Sequence, residues 1–309
     1  MAGAFTHFVV CDQAKANKDK LGKDLWQLLN KYYYFLFLGS VGPDLPYLSY
    51  ETGNVNWADV MHYEKTNSVF ETGYAVLKTS WTARTANEEA KFVWLMGYLS
   101  HLVTDATIHP VVQAIVGPYA QNKDKHRICE MTEDSVIYNI HRNGDIRYTE
   151  FSEMIGFCGE SKVFDKVMDF WKDQIILNYS EKNEEPHPSR WFTTYKEAID
   201  LAEGGSTLVA IFRHIGIGED FIYKTRDEIE EETLSDNYAK YFEKTRLPGN
   251  KVGTFTDVFQ KTVDNVLVAW KSAYDNLISN TQFTGLIKNW NLDTGVDMDS
   301  KNQEVTYWT

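Results

Sequence analysis

Proline is rare in this chain, seven in 309 residues, so little interrupts a helix except where the prolines cluster. Cysteine is rarer still. Cys11, Cys129 and Cys158 are an odd number at spacings that match no thiolate metal motif, which excludes a disulfide framework and leaves free thiols. No apolar run reaches the roughly 20 residues of a membrane span; YYYFLFLGSVG at 32–42 stops well short. The N-terminal stretch MAGAFTHFVVCDQ has no basic start followed by a long apolar run. The expectation is therefore no secretory signal, and either a cytoplasmic protein or export by a route that reads no such peptide. Positive charge is also short: 31 Lys and Arg against 44 Asp and Glu give a net charge of −13. A surface this acidic repels nucleic acid and anionic lipid unless bound divalent cations offset it locally. Repeats, low-complexity tracts and runs of alternating strand are missing too.

What is present is helix-forming and aromatic. Hydrophobic residues make up 43% of the chain and aromatic residues 14%, enough for a sizeable ordered core and too much for disorder. Apolar spacing of helical period predicts helices over about 6–17, 23–38, 66–80, 87–108, 123–141, 162–178, 192–214, 219–231, 235–244 and 254–280. The last of these, with Phe255, Val258, Phe259, Val263, Val266, Leu267 and Trp270 on its apolar face, would be capped by Thr256 or Asp257. Breakers cluster at 39–56, 181–190 and 246–253, and the second is the expected seam. The acidic RDEIEEE at 226–232 reads as a solvated helix face. The fold class is all-α, a multi-helix bundle. The expected organisation is one catalytic domain over 1–309, with a metal-binding core in 1–140 and further packing helices over 160–309.

The stretch GYLSHLVTDATIHP at 97–110 is a core helix carrying polar residues. His101, Asp105 and His109 are four apart, so they share one helix face with a drift of roughly 40° per step. HRICEMTED, in the next predicted helix, sets His126 and Glu130 four apart and then Asp134; His7, Asp44 and His62 lie earlier. Imidazole and carboxylate are zinc-type ligands, and four-residue helical pairs present two of them to one ion. His101 and His109 are about 12 Å apart along a helix axis, too far for one ion, and Asp105 lies between them with two oxygens. The spacing points to a cluster of ions that Asp105 bridges. Such sites suit phosphoester hydrolysis.

GAFTH, FLGSVGPDLPYLS, VMHYEKT, GYLSHLVTDATIHP and HRICE together resemble the zinc-dependent phospholipase C family over roughly 4–140. That family shares its all-helical fold with the zinc single-strand nucleases and with the catalytic domain of glycosylphosphatidylinositol-specific phospholipase D. The resemblance implies a first zinc on Asp44, His62, His101 and Asp105, a second on His109, His126 and Glu130, and a third on His7 and the bridging Asp105. It implies Asp44 as general base as well as ligand, and Glu130 leans to the phospholipase branch. Tyr47 and Tyr50 would line a choline-type cage, and Asp134 would orient a ligand imidazole. Secreted relatives chelate the third zinc through an N-terminal Trp that this chain lacks, so two or three zinc ions are expected. His141, His187 and His214 match nothing in the pattern. The expected activity is cleavage of a phospholipid or other phosphodiester, with peripheral membrane contact and with nucleic acid as the less favoured partner. A single-strand nuclease or nucleotidase of the same fold and a non-catalytic zinc-stabilised binding protein are the alternatives. Headgroup, bond cleaved and oligomeric state are not legible.

Overall fold

The structure is a computed structural model that describes residues 3–48, 54–142, 144, 146, 154–203, 223–232, 239–279, 281 and 287–308. Its helices are α1 (Ala4–Ala16), α2 (Lys18–Leu21), α3 (Lys23–Lys31), α4 (Tyr33–Ser40), α5 (Asn54–Tyr63), α6 (Ser68–Ser80), α7 (Ala86–Val116), α8 (Lys123–Arg142), α9 (Phe164–Asn178), α10 (Pro188–Glu203), α11 (Arg226–Glu232) and α12 (Phe255–Ser279). Two antiparallel hairpins complete the described chain: β1 (Thr245–Leu247) pairs with β2 (Lys251–Gly253), and β3 (Trp290–Asn291) with β4 (Val296–Asp297). The chain is thus all-α, apart from these short strands.

The fold is organised around α7. Thr85 starts it with a capping box: its side chain takes the Glu88 amide while the Glu88 carboxylate takes the Thr85 amide. From Phe92 to Val112 every side chain of α7 is buried, the signature of a helix enclosed on all sides. α1, α4, α6, α8, α9 and α12 all pack on it. The closest approach is to α4. A Cβ at Gly39 would run into the Trp94 carbonyl, and one at Gly97 into the Leu36 carbonyl; glycine alone lets the two backbones meet. Large aromatics fill the space beside this seam, with Trp94, Trp171 and Trp191 fully buried and in ring contact.

Several boundaries differ from the sequence reading. The expected helix 23–38 is two helices, broken at Tyr32, whose ψ of 33° leaves the helical range. α7 runs on through Pro110 to Val116, where the sequence pattern stopped at 108. A proline costs one hydrogen bond, to the carbonyl four residues back, and tertiary packing outweighs that here. The stretch 39–56 holds a 3-10 turn over Gly42–Leu48 and the start of α5, a helix the reading missed. Thr254, not Thr256 or Asp257, caps α12, with Asp257 closing the box. The breaker 246–253 is the β1–β2 hairpin; of the predicted 235–244, the stretch 235–238 lies outside the described residues and Ala239–Glu243 is a π turn. Much of the predicted 192–214, including His214, lies outside the described residues, as does Tyr50.

Replacing Gly97 by alanine should separate α4 from α7, because the group it would strike is backbone and cannot swing away. Overpacking of this kind costs typically 1–3 kcal/mol, and a loss of about 3 kcal/mol is expected. Urea unfolding followed by far-UV circular dichroism would show it; an unchanged midpoint would mean that the close approach carries no constraint.

Candidate metal centre

The polar face of α7 meets three other elements beneath the surface. His101, Asp105 and His109 come from α7, His7 from α1, His62 from α5, and Asp44 from the 3-10 turn after α4. His62, His101 and Asp105 have no exposed surface and Asp44 has 8%. Asp105 sits in the middle. Its Oδ1 lies 3.3 Å from His7 Nε2 and 3.6 Å from His109 Nε2. Its Oδ2 lies 3.3 Å from His101 Nε2 and 3.9 Å from His62 Nε2. Asp44 Oδ1 faces His62 Nε2 at 3.1 Å and His101 Nε2 at 4.0 Å. His7 and His101 stack with ring centroids 4.4 Å apart.

Backbone carbonyls orient three of the rings. His62 Nδ1 donates to Ala58 at 2.8 Å, His101 Nδ1 to Ser40 at 2.9 Å and His109 Nδ1 to Leu292 at 2.5 Å. A carbonyl only accepts, so each ring carries its proton on Nδ1 and turns Nε2 inward. No side-chain pattern marks these carbonyls, and the sequence reading missed all three.

Electrostatics follow from burial. Desolvation would raise the Asp105 carboxyl, but electrostatic interaction with the His109 and His101 rings outweighs it and holds the group well below the carboxylate range. Desolvation also works against Asp44, and again interaction with the His101 and His62 rings lowers it. Burial pushes His109 down to about 4, against the pull of Asp105. The centre therefore presents ionised carboxylates and a neutral imidazole, the state that binds a metal ion.

Two groups place their ligand atoms within 4.8 Å of one another: His7, His101 and Asp105, and Asp44, His62 and His101. His7 Nε2, His109 Nε2 and Asp44 Oδ1 are buried and make no hydrogen bond among the described residues. Buried polar atoms seldom stay unsatisfied, and a set of imidazole nitrogens and carboxylate oxygens fits zinc. The set His109, His126 and Glu130 forms no such group among the described residues. His126 Nε2 instead donates to the Gly117 carbonyl at 2.6 Å. Glu130 is buried, and desolvation raises it to about 7.

Asp134, Tyr47 and the unmatched His141 make contacts of their own. Among the described residues Asp134 meets no imidazole: its Oδ1 accepts the Thr6 amide and hydroxyl at 2.8 and 2.6 Å, and its Oδ2 the Tyr223 hydroxyl at 2.8 Å. It ties down α1 one residue before His7, because its short side chain reaches the first turn of that helix. Tyr47 donates to Asp59 at 2.8 Å and sets its ring 5.4 Å from His62, with its hydroxyl occupied. His141 stacks on Phe259 at 4.7 Å, away from the centre.

Residues 6–185 match the family described as zinc dependent phospholipase C. That is more than half of the chain, and the protein belongs to this family. No curated protein and no solved structure matches it. The family is zinc-dependent, and the buried histidine and aspartate groups fit that requirement.

Glu130 supplies a test of burial. Its folded pKa of about 7 lies above the ordinary 4.5. Its protonated form therefore stabilises the fold fully below pH 4.5, and that contribution is lost as pH rises through 7. In zinc-free protein at pH 8, Glu130→Gln should raise the melting temperature by about 5 °C, and the gain should vanish by pH 4.5. A pH-independent difference in calorimetry would contradict this account.

Proposed function

We propose that this chain is a zinc-dependent phosphodiester hydrolase that cleaves phospholipids as a phospholipase C does, releasing diacylglycerol and a phosphorylated headgroup. The observation that carries the reading is Asp105, whose two oxygens face four inward-turned imidazoles at 3.3–3.9 Å. Asp44, His62, His101 and Asp105 would hold one zinc ion, and His7 with Asp105 another. His109, His126 and Glu130 would hold a further ion once the His126 ring turns from Gly117 or binds through Nδ1. Zinc in such a site lowers the pKa of a water to about 7 and stabilises charge on phosphoryl oxygens.

The chain's own residues do the rest. Asp105 fixes the spacing of the rings around it. Asp44, ionised and the more exposed of the two aspartates, would take the proton of the attacking water. The carbonyls of Ala58, Ser40 and Leu292 keep the imidazoles aimed while charge moves. Phospholipid is the substrate class, and contact with a bilayer surface is peripheral: among the described residues no helix is long and apolar enough to cross a membrane. Glu130, in place of aspartate, supports the phospholipase branch over the nuclease branch.

Purified protein should release diacylglycerol from mixed phospholipid vesicles, lose that activity to a chelator and regain it with zinc. Nucleotides released from single-stranded DNA with the lipids intact would overturn the assignment, and phosphatidic acid as product would move the cleaved bond to the headgroup side. Asp105→Asn should remove more than one zinc equivalent and lower turnover at least a hundredfold, because one group spans two ions. Loss of a single ion with near-normal turnover would exclude bridging.

A further inference from the structure

The β3–β4 hairpin and the residues that follow it lie wholly outside the 6–185 stretch that matches the family. They nonetheless reach the metal centre. The Leu292 amide donates to the His62 carbonyl at 3.0 Å, and the Leu292 carbonyl accepts from His109 Nδ1 at 2.5 Å. One backbone unit therefore joins two ligand-bearing helices, α5 and α7. Of the three carbonyl-held rings, His62 is held by its own helix and His101 by the end of α4. Only His109 among them depends on the C-terminal segment.

The hairpin is built to sit there. Gly295 has φ +64°, and a Cβ on it would lie 2.6 Å from the Ala106 carbonyl oxygen and 2.6 Å from Pro110 Cγ. Pro110 has no N–H to give the Ala106 carbonyl, so the hairpin packs flat on the one turn of α7 whose ladder is interrupted. The flanks are pinned as well: Tyr63 donates to Asp293 at 2.8 Å, Gln113 to the Asp293 carbonyl at 3.0 Å, and Trp308 to the Thr107 carbonyl at 2.8 Å. The Asp293 carboxylate also acts electrostatically on His109 and His126.

We propose that the C-terminal hairpin is a positioning element of the metal centre, with Leu292 fixing the tautomer and direction of His109 so that its Nε2 stays available for zinc. This rests on the zinc-binding reading of the site above. Without the Leu292 carbonyl, the His109 proton is free to sit on either nitrogen and the ring is free to turn, and metal affinity falls.

The experiment uses the full chain, stripped with a chelator and titrated with zinc against a chromophoric competitor. Gly295→Val should weaken zinc binding at least tenfold or lose about one equivalent, with the helical circular dichroism kept. It should also alter the visible spectrum of the cobalt(II)-substituted protein, which a remote packing defect would leave alone. Should that variant not fold, wild-type protein carries the test, because coupling between metal and hairpin is reciprocal. Zinc should then slow hydrogen exchange at the Leu292 and Gly295 amides at least tenfold more than at Lys251–Gly253 in the other hairpin. Equal binding by Gly295→Val, or equal protection of both hairpins, overturns the role of the hairpin while leaving the zinc site intact. Wild-type protein that takes up no zinc overturns the reading of the site itself.

Discussion

A carboxylate withdrawn from water costs several kcal/mol unless its charge is matched, and Asp105, in the middle of α7, has no exposed surface. Its neighbours follow from that constraint. Four imidazoles from three helices turn Nε2 toward its oxygens, and backbone carbonyls hold three of those rings from behind. His109 in turn is buried where a positive charge is disfavoured, and its pKa is depressed to about 4. Neither half of the arrangement is comfortable alone. A cation between them satisfies both, which is the physical reason the centre fits a zinc-dependent family.

The packing serves the same end. α7 must be enclosed to keep Asp105 dry, and it is enclosed most tightly by α4, backbone against backbone at Gly39 and Gly97. That approach also delivers the Ser40 carbonyl to His101 and the turn bearing Asp44 to the opposite side of the centre. Asp134 performs a comparable service from α8, fastening Thr6 and so the position of His7. Candidate ligands and scaffold residues are therefore close neighbours in the chain: a small shift of α4 or α1 moves a candidate ligand with it.

Much of this was legible beforehand, for identifiable reasons. The helices with strong apolar period, such as α9 and α12, lie where the spacing puts them. The triplet on α7 could be read because a four-residue step fixes a helix face whatever surrounds it. α5 was missed because its ten residues follow a stretch rich in glycine and proline, where local signals favour a loop and burial of Trp57 and Met61 decides otherwise. The end of α7 was misplaced for the reverse reason: Pro110 signals a stop, and the packing around it is strong enough to carry the helix on.

From the sequence alone came the all-α class, the zinc-type chemistry and a set of candidate ligands, since each depends on residue type and spacing within a few turns. Tertiary structure alone decided which of those residues meet. It set His7, Asp44 and His62 around the α7 face, left His126 turned to the Gly117 carbonyl, and brought Leu292 to His109 across most of the chain. Backbone carbonyls carry no identity in a sequence, and a contact between residues far apart in the chain depends on how the helices cross. The aim of each imidazole, which separates a set of ligands from a working site, is fixed by those two things.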